Sequence, residues 1–158
     1  MTLSSQIAKH FHEVHFGDNW TEVNLKQTLS DVRLEEAIIK IDSLNSIAAL
    51  VYHCHYFVHA LLGVLKENKL NAHDKFSMDA PPMNNEMEWQ NFLKMTFDEA
   101  LETVALIEKL PESTWWGNFT DAKYGNWYKN VNGTIEHTHY HLGQISLLKK
   151  MIRLSYSS

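Results

Sequence analysis

Across residues 43–68 the apolar positions Ile47, Leu50, Val51, Cys54, Phe57, Val58, Leu61 and Leu65 recur at steps of three and four. That is the period of one face of an α-helix, and it is incompatible with the two-residue alternation of a half-buried strand. The same period returns over residues 86–110, through Trp89, Phe92, Leu93, Phe97, Leu101, Val104 and Ile107, until Pro111 stops it. A last helix is expected from a cap at Asn132 or Thr134 to about Leu154, with Ile135, Leu142, Ile145, Leu148 and Ile152 facing inward. A first helix over residues 2–15 carries Leu3, Ile7, Phe11 and Val14, with Ser4 and Ser5 available to cap, and ends before Gly17. Two short elements, over 24–29 and 31–37, connect it to the long helix, and residues 71–85, with Pro81-Pro82 among Asn and Asp, read as a loop. No strand pattern of useful length and no repeat occurs, so the expected fold is all-α, a four-helix bundle.

The histidines concentrate the chemistry. His137 and His141, four apart on the last helix, stand one turn above each other, while His139 points away. Two imidazoles at this spacing can place ring nitrogens on one ion. A third ligand is available on the long second helix, where His53 sits at the edge of the apolar stripe, one turn from Leu50 and Phe57. His55 falls on the opposite side and His59 well off the stripe, and both are expected to be solvated or flanking residues. Three histidines from two facing helices leave a coordination position open, as in catalytic rather than structural zinc-type sites. The predicted metal ligands are therefore His53, His137 and His141. Neutral imidazoles suit Zn²⁺, Ni²⁺, Cu²⁺ and Fe²⁺ alike, with zinc or nickel expected.

Other residues are weighed against this site. Gln144, about a turn beyond His141, either hydrogen-bonds a ligand or a bound water, or contacts a neighbouring helix. Gly143 reads as a point of close helix approach, and Glu136 as solvated charge, since adjacent residues do not share a helical face. Trp115, Trp116, Phe119, Tyr124, Trp127 and Tyr128 fall in the stretch 112–132, read either as a lid or pocket wall or as rings closing one end of the core. Cys54 lies on the core stripe, where a thiol packs as a small hydrophobe and not as a nucleophile. His10, His12 and His15, near a helix end, read as exposed. No Ser/His/Asp triad, phosphate-binding glycine loop or cysteine zinc ribbon is present.

Length and charge bound the remaining possibilities. A chain of 158 residues is one expected domain, 1–158, large enough for a single core. A formal charge of -5 without a concentrated basic face argues against nucleic acid as a partner. The apolar runs are broken by polar residues every few positions, so no membrane span is expected, and the N-terminus lacks the basic-then-apolar order of a signal peptide. The lone cysteine excludes an intrachain disulfide, and a cytoplasmic location is the default expectation.

A long second helix with one mid-helix histidine, and a last helix reading Glu136-His137-Thr138-His139-Tyr140-His141-Leu142-Gly143-Gln144-Ile145, resembles the DinB-like superfamily of metal-binding four-helix bundles. The resemblance extends over nearly the whole chain in element order and spacing. It implies that His53, His137 and His141 are the metal ligands, that a crossover connection follows the first helix, here segment 20–40, and that the chain forms a homodimer. The best understood relatives, bacillithiol transferase and mycothiol-dependent maleylpyruvate isomerase, use a divalent metal to hold a small thiol as its reactive thiolate. The resemblance thus implies a metal-dependent transferase or hydrolase with a low-molecular-weight thiol and a small-molecule substrate. The alternative is a non-catalytic metal-binding or stress-related bundle in which the metal is structural. A third reading is a bundle that has lost its metal and only binds a partner or small molecule.

Overall fold

Each long helix starts where a side chain takes up an N–H group of its first turn. Thr2 Oγ1 accepts from Ser5 N ahead of α1 (Leu3–Phe16). Asn24 does the same for the short α2 (Leu25–Leu29), which is followed by the turn α3 (Leu34–Ala37), where the preceding Arg33 side chain makes no such cap. Ser46 caps α4 (Ile47–Glu67), which ends on Asn68 in the left-handed conformation. Asn85 caps α5 (Glu86–Glu108), and Asn126 Oδ1 accepts from Lys129 N at the head of α6 (Trp127–Ser155). These elements belong to a computed structural model that describes residues 2–155. Among the described residues the fold is all-helical, with single 3₁₀ turns and one isolated bridge, Asn118 to Asn126, in place of any strand.

Helix α1 packs on α5 and α6, and α4 packs on the same two helices. Between α1 and α4 the chain buries Leu25, Leu29, Val32, Leu34 and Ala37 in the common core. The main chain there is fixed by Trp89 Nε1, which donates to the Val32 carbonyl at 2.9 Å, and by Glu86, which accepts from Leu34 N at 2.7 Å. Arg153 and Lys149 of α6 pair with Asp31, and Arg153 also with Glu36. Hydrogen bonds from these two cations hold the Asp31 carboxyl down to about 2.

Several details depart from the sequence expectations, each for a local reason. The first cap is Thr2, because Ser4 is buried and its hydroxyl donates to the Leu110 carbonyl while accepting from Trp115 Nε1. The inner line of α5 is Trp89, Leu93, Thr96, Ala100, Thr103 and Ile107. The two threonine hydroxyls donate to carbonyls four residues back, which removes their polar cost, while Leu101 turns outward. Helix α6 begins at Trp127, not at Asn132 or Thr134, since the capping side chain is that of Asn126. Gly143 is exposed, and a Cβ there would meet nothing within 4 Å, so close helix approach does not explain it. His15 is buried, stacked on Phe11, with Nδ1 donating to the Phe11 carbonyl at 2.8 Å. Contrary to expectation, α4 is long and apolar enough by length and composition to cross a bilayer; in the fold 61% of that window is buried. A helix apolar all round fits the centre of a protein as well as a membrane.

Candidate metal centre

Helix α4 packs on α5 and α6, and it carries His53 to the face that meets α6. There His53 meets His137 and His141, which the helical repeat stacks on one face of α6. The ligand nitrogens of the three rings all lie within 4.8 Å of one another. His137 Nε2 is 3.0 Å from His53 Nε2 and 3.1 Å from His141 Nε2. His53 and His141 are buried and His137 is half-buried.

The outer nitrogens of the flanking rings are engaged. His53 Nδ1 donates to the Ser77 carbonyl at 3.2 Å, and His141 Nδ1 donates to Gln144 Oε1 at 2.7 Å. A neutral imidazole carries one proton, and on both rings these bonds commit it to Nδ1, so both Nε2 atoms present bare lone pairs. His137 Nε2 lies between them: if it holds its proton it can donate to one of the two and leaves the other lone pair without a donor, and if it does not, lone pair faces lone pair at both contacts. Its own Nδ1 is buried without a hydrogen-bond partner among the described residues, none of which fixes which His137 nitrogen holds the proton. Burial pushes His137 down to about 4, helped by repulsion from His141 and His53, and burial likewise lowers His141. Added protons are therefore unwelcome at the point where the three rings meet. His53, His137 and His141 could instead hold a divalent cation, which would accept all three lone pairs. Bonds of about 2.0–2.1 Å put tetrahedral ligand atoms about 3.3 Å apart, close to the separations present here. The residues fit a metal ion.

Three supporting groups were not foreseen from the sequence. Ser77 acts through its main-chain carbonyl, in the loop between α4 and α5, which no side-chain pattern encodes. Phe57 packs edge-on against both His53 and His137, with ring centroids 5.1 and 4.7 Å away. Asp74 is close enough to favour the charged form of His137, against the stronger effect of burial. Phe57 is also a wall of a cleft of about 370 Å³ whose lining includes His73, Asp74, Phe119, Tyr124 and Thr134. The aromatic stretch thus divides its work. Trp115, Phe119 and Trp127 are buried and close an end of the core, Phe119 and Tyr124 face the cleft, and Trp116 is exposed.

The remaining candidates separate clearly. Gln144 is bonded to His141, the first of its two predicted roles. Glu136 is exposed and accepts from Asn132. Burial drives the Cys54 thiol up to about 12, so it offers no thiolate. His139 lies beside His10, with ring centroids 5.9 Å apart. His55 corrects the sequence expectation outright: it is buried, and its Nε2 is 3.0 Å from Glu99 Oε2. The misplacement has a simple origin, because opposite the apolar stripe of α4 lies another helix, α5, and not water. His59 is exposed as expected, yet also reaches Glu99. Comparison with protein-family models, with curated proteins and with solved structures finds no match to this chain.

Proposed function

We propose that this chain is a metal-dependent enzyme of the DinB-like kind, with one zinc or nickel ion on His53, His137 and His141. The observation that carries the reading is the proton count at the cluster: three ring nitrogens converge where the protein can satisfy only one of the two contacts by hydrogen bonding. The corresponding architecture is a four-helix bundle of α1, α4, α5 and α6. In support, α1 and α4 each pack on α5 and α6, which is compatible with α1 and α4 at opposite corners and with segment 20–40, carrying α2 and α3, as the crossover between them.

A divalent ion on three neutral imidazoles keeps a position for a further ligand, and lowers the pKa of a thiol or water bound there. The protein's own contribution is orientation and access. The Ser77 carbonyl and Gln144 hold two rings in the tautomer that offers Nε2 inward. Phe57 shields the rings from water on one side and forms a wall of the cleft, which is the proposed place for the acceptor molecule. Cys54 is buried with its thiol protonated and supplies no nucleophile; on the DinB-like resemblance, the sulfur would come from a low-molecular-weight thiol and the reaction would be thiol transfer to an electrophilic acceptor.

Elemental analysis of the untagged protein beside His53→Ala and His137→Ala tests the site: each variant is expected to hold one divalent ion per chain fewer than the wild type. Metal-dependent turnover of a small thiol with an electrophilic acceptor, abolished by His141→Ala, is the functional test. Absence of stoichiometric metal after reconstitution, or turnover indifferent to chelation, refutes the reading. A structural role has one observation in its favour, that the ligands tie α4 to α6. In that case chelation lowers the melting temperature while added thiol leaves the spectrum of a cobalt-substituted form unchanged. We further propose a cytoplasmic homodimer packed through Tyr140, Leu147 and Met151, which are exposed along one side of α6; the molar mass in solution tests the assembly.

A further inference from the structure

The face of α4 turned away from the three-histidine cluster carries a second convergence of ligand atoms. His55 and His59 are four residues apart and so stand one turn above each other toward α5. Helix α5 answers with Glu99, whose Oε2 is 3.0 Å from His55 Nε2 and 2.9 Å from His59 Nδ1. The three ligand atoms all lie within 4.8 Å of one another. His55 is held edge-on by Phe92 at 5.4 Å, and the Glu99 main chain accepts from the Thr103 hydroxyl, so two of the three groups sit on well-packed backbone.

We infer that His55, His59 and Glu99 form a second divalent-metal site, independent of the first. Two imidazole nitrogens and one carboxylate oxygen are a ligand set used for Zn²⁺ and for other divalent ions of the first transition row. In the metal-free geometry both rings donate to a single carboxylate oxygen. Coordination at these nitrogens moves each ring's proton to its other nitrogen, a change of tautomer, and requires the ligand atoms to part by a few tenths of an ångström, to about 3.3 Å for tetrahedral zinc. The rotation that permits this is available, because the His59 side chain is 66% exposed. A cleft of about 260 Å³, with His59 and Glu99 in its wall, opens the site to solvent and leaves room for water as the remaining ligands. Of the two lysines lining that cleft, Lys66 is already paired with Glu102 at 2.7 Å, which lessens its repulsion of an incoming ion. The carboxylate gives this set a negative charge that the three neutral histidines lack. Its exposed ligand must be ordered on binding, so it is the weaker of the two sites.

The test is made on the full chain carrying His53→Ala and His137→Ala, so that the first cluster is disabled. Zn²⁺ is titrated against a chromogenic competitor, and Co²⁺ is followed by its visible absorption. One equivalent is expected to bind, with at least a tenfold loss of affinity on adding His59→Ala, and the same on adding Glu99→Gln. His59 is exposed, so its replacement leaves packing intact and keeps the test clear of folding effects. The wild-type chain provides a parallel reading: two equivalents are expected, falling to one in His59→Ala. In ¹⁵N-edited spectra, zinc should shift His55 Nε2 and His59 Nδ1. A folded double variant that binds no ion, or binding untouched by His59→Ala and Glu99→Gln, overturns the inference. Loss of one wild-type equivalent in His137→Ala but none in His59→Ala also overturns it, while leaving the three-histidine site standing.

Discussion

His15 makes a quantitative test of how the α1 end is packed. Its ring is fully buried, stacked on Phe11 with centroids 4.8 Å apart, and Nδ1 donates to the Phe11 carbonyl. Burial pushes it down from 6.5 to about 4, opposed by that hydrogen bond and reinforced by His12 and His139 nearby. In the unfolded chain the same ring titrates near 6.5. The folded state therefore binds fewer protons than the unfolded state between these values, and stability rises with pH across that window. The contribution is complete above about pH 6.5 and is lost as the pH falls toward 4. At about 1.4 kcal/mol per pH unit the interval corresponds to roughly 3 kcal/mol. Burial depresses other histidines too, His137 among them, so the total acid loss is larger, and the His15 share has to be isolated by difference. His15→Leu retains an apolar filling of the site and removes the titrating group. Urea unfolding of both proteins at pH 7.0, 5.5 and 4.5, treated as two-state, gives the difference at each pH. Because pH 4.5 stops short of the folded value, the wild type should lose roughly 2 kcal/mol more than His15→Leu between the extremes. A difference that stays constant with pH refutes the burial argument.

Other perturbations give equally definite outcomes. Ser4→Ala removes the acceptor of the buried Trp115 Nε1 donor and should cost about 1–3 kcal/mol in urea unfolding, with a negligible loss arguing against that bond. Gly143→Ala, at an exposed helical position with open space around the added Cβ, should raise stability by up to about 1 kcal/mol; destabilisation would mean that the position is occupied by a neighbour. Gln144→Leu deprives His141 Nδ1 of its acceptor and should weaken metal binding by about 10- to 100-fold in a chelator competition, whereas unchanged affinity would exclude an orienting role.

The convergence of His53 with His137 and His141 was legible because it follows from two rules of helix geometry, the four-residue stack and the position of His53 relative to the apolar stripe. The four long helices were legible for the same reason. What was hidden falls into two kinds. One is polar residues doing apolar work: Thr96 and Thr103 lie on the inner line of α5 with their hydroxyls bonded back to the helix, so a pattern of apolar letters misses them and recruits Leu101 instead. The other is context supplied by a distant segment. His55 looked solvated because nothing local says that α5 covers that face, and Glu99, its partner, is 44 residues away. The head of α6 combined both problems. Asn130, Asn132 and Gly133 resemble a loop, yet Asn130 bonds to the carbonyl of Asn126 and the helix runs through them.

The support of His53 by the Ser77 carbonyl has a consequence for how the site tolerates change. The acceptor is a main-chain atom, so no substitution at position 77 can delete it; Ser77→Ala should leave metal affinity within about twofold. What would delete it is a change in the path of the chain. That path is pinned from the other side, because Tyr56 Oη donates to the His73 carbonyl and accepts from His73 N. Between these fastenings there is little slack for an inserted or deleted residue. Saturation mutagenesis of 75–80 and a scan of single-residue insertions over the same stretch should therefore diverge: side chains are exchangeable there, and length is not.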